Sequence, residues 1–141
     1  MDKFEEARGI FEGAFREYEA GFFPSLSATI SGELFGDFVK LAKRCLSEGH
    51  KDPAAVVASA ALEDVLKRYA TLQGLDVKDK SMQDVVGALK SKGLVGGAQK
   101  SLLDIMPKIR DYAMHANWEK IRAEDVSSII AFVEQFLISH F

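Results

Sequence analysis

The stretch Ile109–Lys120, IRDYAMHANWEK, holds the residue types in this chain best suited to phosphate and proton chemistry. Arg110 keeps its charge and offers a planar fork of N–H donors that matches a phosphate. His115, five positions on, is of the type that gives and takes protons near neutrality. On a straight helix five residues turn roughly 500°, which leaves the two side chains about 140° apart. They share an end only if the helix stops or distorts between them. Asn117 favours non-helical backbone, so a stop near His115 fits the sequence. Two readings follow. The pair is half of an active site, or it satisfies the carbonyls and the dipole of a helix C-terminus.

Other side chains compete for attention. Glu63 and Asp64 are adjacent carboxylates, but Glu63–Lys67 and Asp64–Arg68 are spaced four apart with the acid first, the pattern of ion pairs on a solvated helix face. Trp118 is either a stacking platform for a base or the cap that closes a bundle end. His50, His115 and His140 are far apart, and no Cys-x-x-Cys or His-x-x-x-His pair occurs. No metal and no cofactor is expected. His50 and His140 read as cations near helix C-termini. The single cysteine, Cys45, lies on an apolar stripe and reads as a small buried hydrophobe.

The elements that must position these groups are helical. Apolar residues recur at three and four, and no strand pattern is convincing. Residues 1–23 predict an amphipathic first helix, and GFFPSLSATISG breaks it with Gly21, Pro24 and serines. Residues 32–49 predict a helix with the stripe Leu34, Phe35, Phe38, Leu41, Ala42 and Cys45. In the next helix Asp52 suits the N-cap, Pro53 the first turn and Gly74 the C′ position. Its face of Ala54, Ala58, Ala61 and Val65 lets a neighbour approach closely. Ser81 caps a short helix, and GLVGG after it is a plain loop, since no Gly-Lys-Ser/Thr follows. The motif lies on a helix over residues 98–115, expected to turn Leu102, Ile105, Met106 and Ile109 inward and to bend at Pro107. A last helix from Ala123 buries Val126, Ile129, Ile130, Val133 and Phe136 or Leu137. The fold class is all-α: an up-and-down bundle of about five helices with an extra N-terminal helix. Residues 1–30 are the N-terminal helix and linker, and 31–141 form the helical domain.

Composition sets outer bounds. The chain has 141 residues, one domain's worth, with 48% hydrophobic and 28% charged residues. One cysteine fits a reducing compartment, and no apolar run approaches the ~20 residues of a membrane span, so a cytoplasmic protein away from membranes is expected. The net charge is −3 and the pI near 5.6, which argues against tight nonspecific binding to nucleic acid. Charge is uneven, however. Around the motif, Lys100, Lys108, Arg110, Lys120 and Arg122 outnumber Asp104, Asp111 and Glu119. Lys108, Lys120 and Arg122 are the candidates for holding a polyanionic substrate.

RDYAMH (Arg110–His115) resembles the Arg-x4-His signature of HEPN domains, including a polar residue directly after the arginine. FVKLAKRCLSEGHKDPAAVVASAALEDVLKRYATLQGL is similar to the paired long helices of the bacterial branch that includes the DUF4145-like proteins. MQDVVGALKSKGLV resembles the short helix before the motif helix. The likeness covers roughly residues 33–140. It implies a HEPN-like domain, usually dimeric, whose active members are metal-independent ribonucleases of toxin–antitoxin, phage-defence and RNA-processing systems. Other members are accessory domains that bind partners without cutting. By resemblance Arg110 and His115 are the catalytic pair, with Asp111 steadying them and Asn117 beside them. The implied partners are a second copy, an RNA substrate and an antitoxin or other protein. The implied product carries a 2′,3′-cyclic phosphate. The sequence departs from relatives at three places. Many have Asn where this chain has Asp111. Many DUF4145-like proteins have Gly where it has Ala116. The toxins controlled by adenylylation have Tyr where it has Asn117. The alternative implied function is a non-catalytic helical module for dimerisation or partner binding.

Overall fold

A computed structural model describes residues 24–141, with side chains from Phe35 onward. The helix expected over residues 1–23 lies outside the described residues. The helices are α1 (Pro24–Ser47), α2 (Lys51–Leu72), α3 (Met82–Ser91), α4 (Ala98–Met114) and α5 (Ala123–His140), with a 3-10 turn at Trp118–Lys120 between the last two. Among the described residues there is no strand. The expected all-α bundle is what forms.

Residues 24–31 are helical rather than a break. Pro24 opens α1, where its fixed φ suits a helix and its missing N–H needs no partner. The end of α1 follows from Gly49, which takes a φ of +85°. Its N–H donates to the Leu46 carbonyl at 3.1 Å, and the His50 N–H donates to the Cys45 carbonyl at 2.8 Å. This is a Schellman stop, with glycine in the left-handed position that a side chain resists. Gly74 and Gly93 end α2 and α3 by the same pair of bonds. Ser81 caps α3 as expected, accepting from the Asp84 N–H at 3.1 Å. The N-cap of α2 is His50, not Asp52, which stands in the first turn.

α2 is the centre of the molecule and packs against all four other helices. Ala54, Ala55, Ala58 and Ala61 are buried there with Leu62, Val65 and Leu66. Their small side chains let α1, α4 and α5 approach the α2 backbone. Phe35, Phe38 and Ala42 reach the core from α1, and Val126, Ile129, Ile130, Val133 and Phe136 reach it from α5, on the faces expected. Leu41 and Cys45 are partly buried against it.

α4 is rotated from the expected setting. Met106 and Ile109 are inside, but their companions are Leu103, Pro107 and Ala113. Leu102 is 39% and Ile105 58% exposed. Positions 103, 106, 107 and 110 lie three and four apart, so they share one face. That rotation turns Arg110 toward α2. The helix runs unbroken through Pro107. No helix among the described residues is long and apolar enough to cross a membrane.

Candidate active site

Arg110 is half-buried between α4 and α2. Its Nε donates to Glu63 Oε2 at 2.9 Å, and its Nη2 lies 2.9 Å from the same oxygen. Its Nη1 donates to Asp111 Oδ1 at 3.1 Å. The other oxygen of Glu63 accepts from Lys67 Nζ at 3.0 Å. The other oxygen of Asp111 accepts from the Gln83 amide on α3 at 3.0 Å. Three helices therefore meet through one guanidinium and its two carboxylates. Burial pushes the guanidinium pKa down, but the bonds and charges of Glu63 and then Asp111 outweigh it and hold it above its ordinary value. Arg110 stays a cation. Three of its five N–H groups face these carboxylates, so two remain for a ligand.

His115 is exposed at the C-cap of α4. Its Nδ1 lies 2.8 Å from the main-chain carbonyl of Asp111. A carbonyl only accepts, so this contact requires the hydrogen on Nδ1. In the neutral ring Nε2 then carries the lone pair. The helix ends here, but by a different residue from the one expected. Ala116, not Asn117, is left-handed, at φ +56°. Asn117 N–H donates to the Tyr112 carbonyl at 2.8 Å and Ala116 N–H to the Ala113 carbonyl at 3.3 Å, the same stop as at the three glycines.

No hydrogen bond joins Arg110 to His115 among the described residues. Asp111 links them, with its carboxylate on the arginine and its carbonyl on the histidine. Asn117 serves through its main chain, as N-cap of the 3-10 turn. Lys108 is exposed on α4. Lys120 is exposed too, with its ammonium 5.4 Å from the centre of the Tyr112 ring. Arg122 is exposed at the start of α5, where its N–H donates to Asp125 Oδ2 at 2.9 Å. Trp118 is half-buried against the core.

Two contacts escaped the sequence. Glu63 pairs with Lys67 as the spacing predicts, but it also bonds Arg110, 47 positions away. Lys51, at the start of α2, donates to the Trp118 carbonyl at 2.8 Å and to the Ile121 carbonyl at 2.7 Å. It ties down the turn that follows His115. Two other readings change. Asp64 and Arg68 are not solvated: both are buried and 2.6 Å apart, with the Arg68 guanidinium 5.8 Å from the centre of the Phe35 ring. Burial raises the Asp64 carboxyl pKa, against the pull of Arg68. His140 is no exposed helix-end cation. It packs 4.4 Å from the ring centres of both Tyr69 and Phe136, and burial lowers its pKa. His50 starts α2 as well as following α1. Among the described residues no three His, Cys, Asp or Glu side chains are grouped to hold a metal ion.

A family profile described as "Domain of unknown function (DUF4145)" matches residues 40–140. The chain belongs to the DUF4145 family. No curated protein matches it, and no solved structure does. The DUF4145 region runs from α1 to the end of α5. It therefore contains every member of the cluster: Glu63 and Lys67 on α2, Gln83 on α3, and Arg110, Asp111 and His115 on or beside α4.

Proposed function

We propose that this chain is a HEPN-type ribonuclease, a toxin or phage-defence module that cleaves RNA without a metal ion and acts as a homodimer. The observation that carries the reading is the Nδ1 contact of exposed His115 to the Asp111 carbonyl. It leaves Nε2 as a proton acceptor at the solvent face. In the reaction the RNA 2′-oxygen gives its proton to Nε2 and attacks the adjacent phosphorus. The two remaining N–H groups of Arg110 bind phosphate oxygens as negative charge builds. The bond to the 5′-oxygen breaks, and that oxygen takes a proton. The products are a 2′,3′-cyclic phosphate and a 5′-hydroxyl. A second copy brings a second histidine, so one ring accepts a proton while the other donates. Lys108, Lys120 and Arg122 hold neighbouring phosphates, and a protein antitoxin restrains the free enzyme.

The test is cleavage in EDTA. Wild type and His115→Ala are compared on total cellular RNA and on a labelled single-stranded oligomer. Cleavage by wild type that His115→Ala loses is the expected result. Equal cleavage by both overturns the assignment of His115. No cleavage by a folded wild type overturns the ribonuclease reading.

A second reading has its own observation. Glu63 and Asp111 oppose the charge of Arg110 from within the same chain. An arginine so balanced can serve as a tie between helices in a non-catalytic dimerisation or partner-binding module. On that reading Arg110→Ala lowers stability and removes no chemistry.

A further inference from the structure

Glu63 has no place in the cleavage chemistry above, yet it makes the principal contact to Arg110. Three features set it apart from an ordinary surface acid. Its side chain is only 17% exposed. Both of its oxygens are used, one by Lys67 and one by Arg110. The Arg110 bond is made through Nε, and Nη2 faces the same oxygen, so the side edge of the guanidinium is engaged rather than a single terminal nitrogen. An edge-on contact restricts rotation of the planar group in a way that a contact at one terminal nitrogen does not. Asp111 supplies the second point from Nη1, and Gln83 holds Asp111 in turn. The remaining N–H groups are thereby given one direction.

We propose that Glu63 is a positioning residue for the cleavage reaction: it holds the side edge of the Arg110 guanidinium so that the remaining N–H groups are aimed at the substrate phosphate. Lys67 holds the far oxygen of Glu63 and keeps that carboxylate from swinging toward solvent. The inference rests on the ribonuclease reading. It adds that the phosphate-binding direction of Arg110 is set from α2, a helix that bears neither motif residue.

A positioned donor matters most where charge develops, so its loss falls on turnover more than on substrate binding. Glu63→Gln keeps the shape and removes the charge. A misdirected group costs roughly 10- to 100-fold in rate. Cleavage of the labelled oligomer in EDTA is followed for wild type, Glu63→Gln and Glu63→Asp, with the folded fraction of each measured by circular dichroism. The expected result is a kcat for Glu63→Gln lower by about 10-fold or more, with KM changed by less than about threefold. Glu63→Asp, which keeps the charge, recovers part of the loss. An active wild type beside an equally active Glu63→Gln overturns this proposal alone. So does a loss that merely tracks the unfolded fraction, or one that falls on KM with kcat unchanged. A folded wild type that cuts nothing overturns the ribonuclease reading and this proposal with it.

Discussion

Ala116 is the most testable residue in the described chain. Four helices end in the same pair of bonds, and three of them place glycine in the left-handed position: Gly49 at φ +85°, Gly74 at +83° and Gly93 at +69°. The fourth uses Ala116 at +56°. A side chain in that region costs roughly 1–2 kcal/mol, because Cβ crowds the carbonyl oxygen. Glycine removes that cost but gives back about 0.4–1 kcal/mol through the greater freedom of its unfolded chain. Ala116→Gly should therefore stabilise the fold by about 0.8 kcal/mol. With an unfolding entropy of roughly 2.1 cal/mol/K per residue, a chain of 141 residues gains about 3 °C in Tm. The converse changes calibrate the estimate. A Cβ at Gly49, Gly74 or Gly93 would meet no atom within 4 Å. Their replacement by alanine has only the conformational cost, so each should lose about as much as Ala116→Gly gains. Urea unfolding of the four variants, fitted with a common m-value, is the assay. If Ala116→Gly is neutral or destabilising while the three reverse changes cost what is expected, the left-handed stop at Ala116 is not the conformation in solution. The geometry deduced for His115 would fall with it.

Two further outcomes follow from single residues. His140 has a lowered pKa in the fold, so the unfolded chain binds more protons and stability must fall as pH drops below about 6.5. His140→Phe, measured by thermal melts between pH 5 and 7, should flatten that part of the profile. Lys51→Met removes two charge-assisted bonds to main-chain carbonyls and should cost about 1–2 kcal/mol. Amide hydrogen exchange should quicken over residues 117–121 while α2 stays protected.

The helices were largely legible because the chain punctuates them well. Ser81, Gly74 and the acids after Arg122 mark ends by side-chain and backbone chemistry that acts within a few residues. The setting of α4 was not legible. Leu102, Leu103, Ile105, Met106 and Ile109 together cover more than one face, so apolarity alone does not choose the rotation. Pro107 is buried with Leu103 and Met106 on the inner face, and proline is seldom counted as a core residue. The same rotation explains why Arg110 meets Glu63, a partner 47 positions away that no local pattern encodes. The burial of Asp64 and Arg68 is hidden from the sequence for a related reason. Their four-apart spacing predicts the pair correctly but is silent on whether the pair faces water. Ala116 escaped because the usual marker of a left-handed stop is glycine.

The central place of α2 has a consequence for how this chain can diverge. Where α2 is covered by the other four helices, it cannot trade a small residue for a larger one without moving one of them. Ala54, Ala55, Ala58 and Ala61 act as spacers that set interaxial distances, and an added methyl group or two there costs roughly 1–3 kcal/mol. The outer face of α4, where Leu102 and Ile105 are exposed, carries no such constraint. Sequence drift is thus channelled to the periphery, while the buried positions of the helix that bears Glu63 and Lys67 are held nearly constant by geometry alone. Invariance along α2 among relatives would accordingly be weak grounds for assigning chemistry to it, and variation at Glu63 itself would be the informative exception.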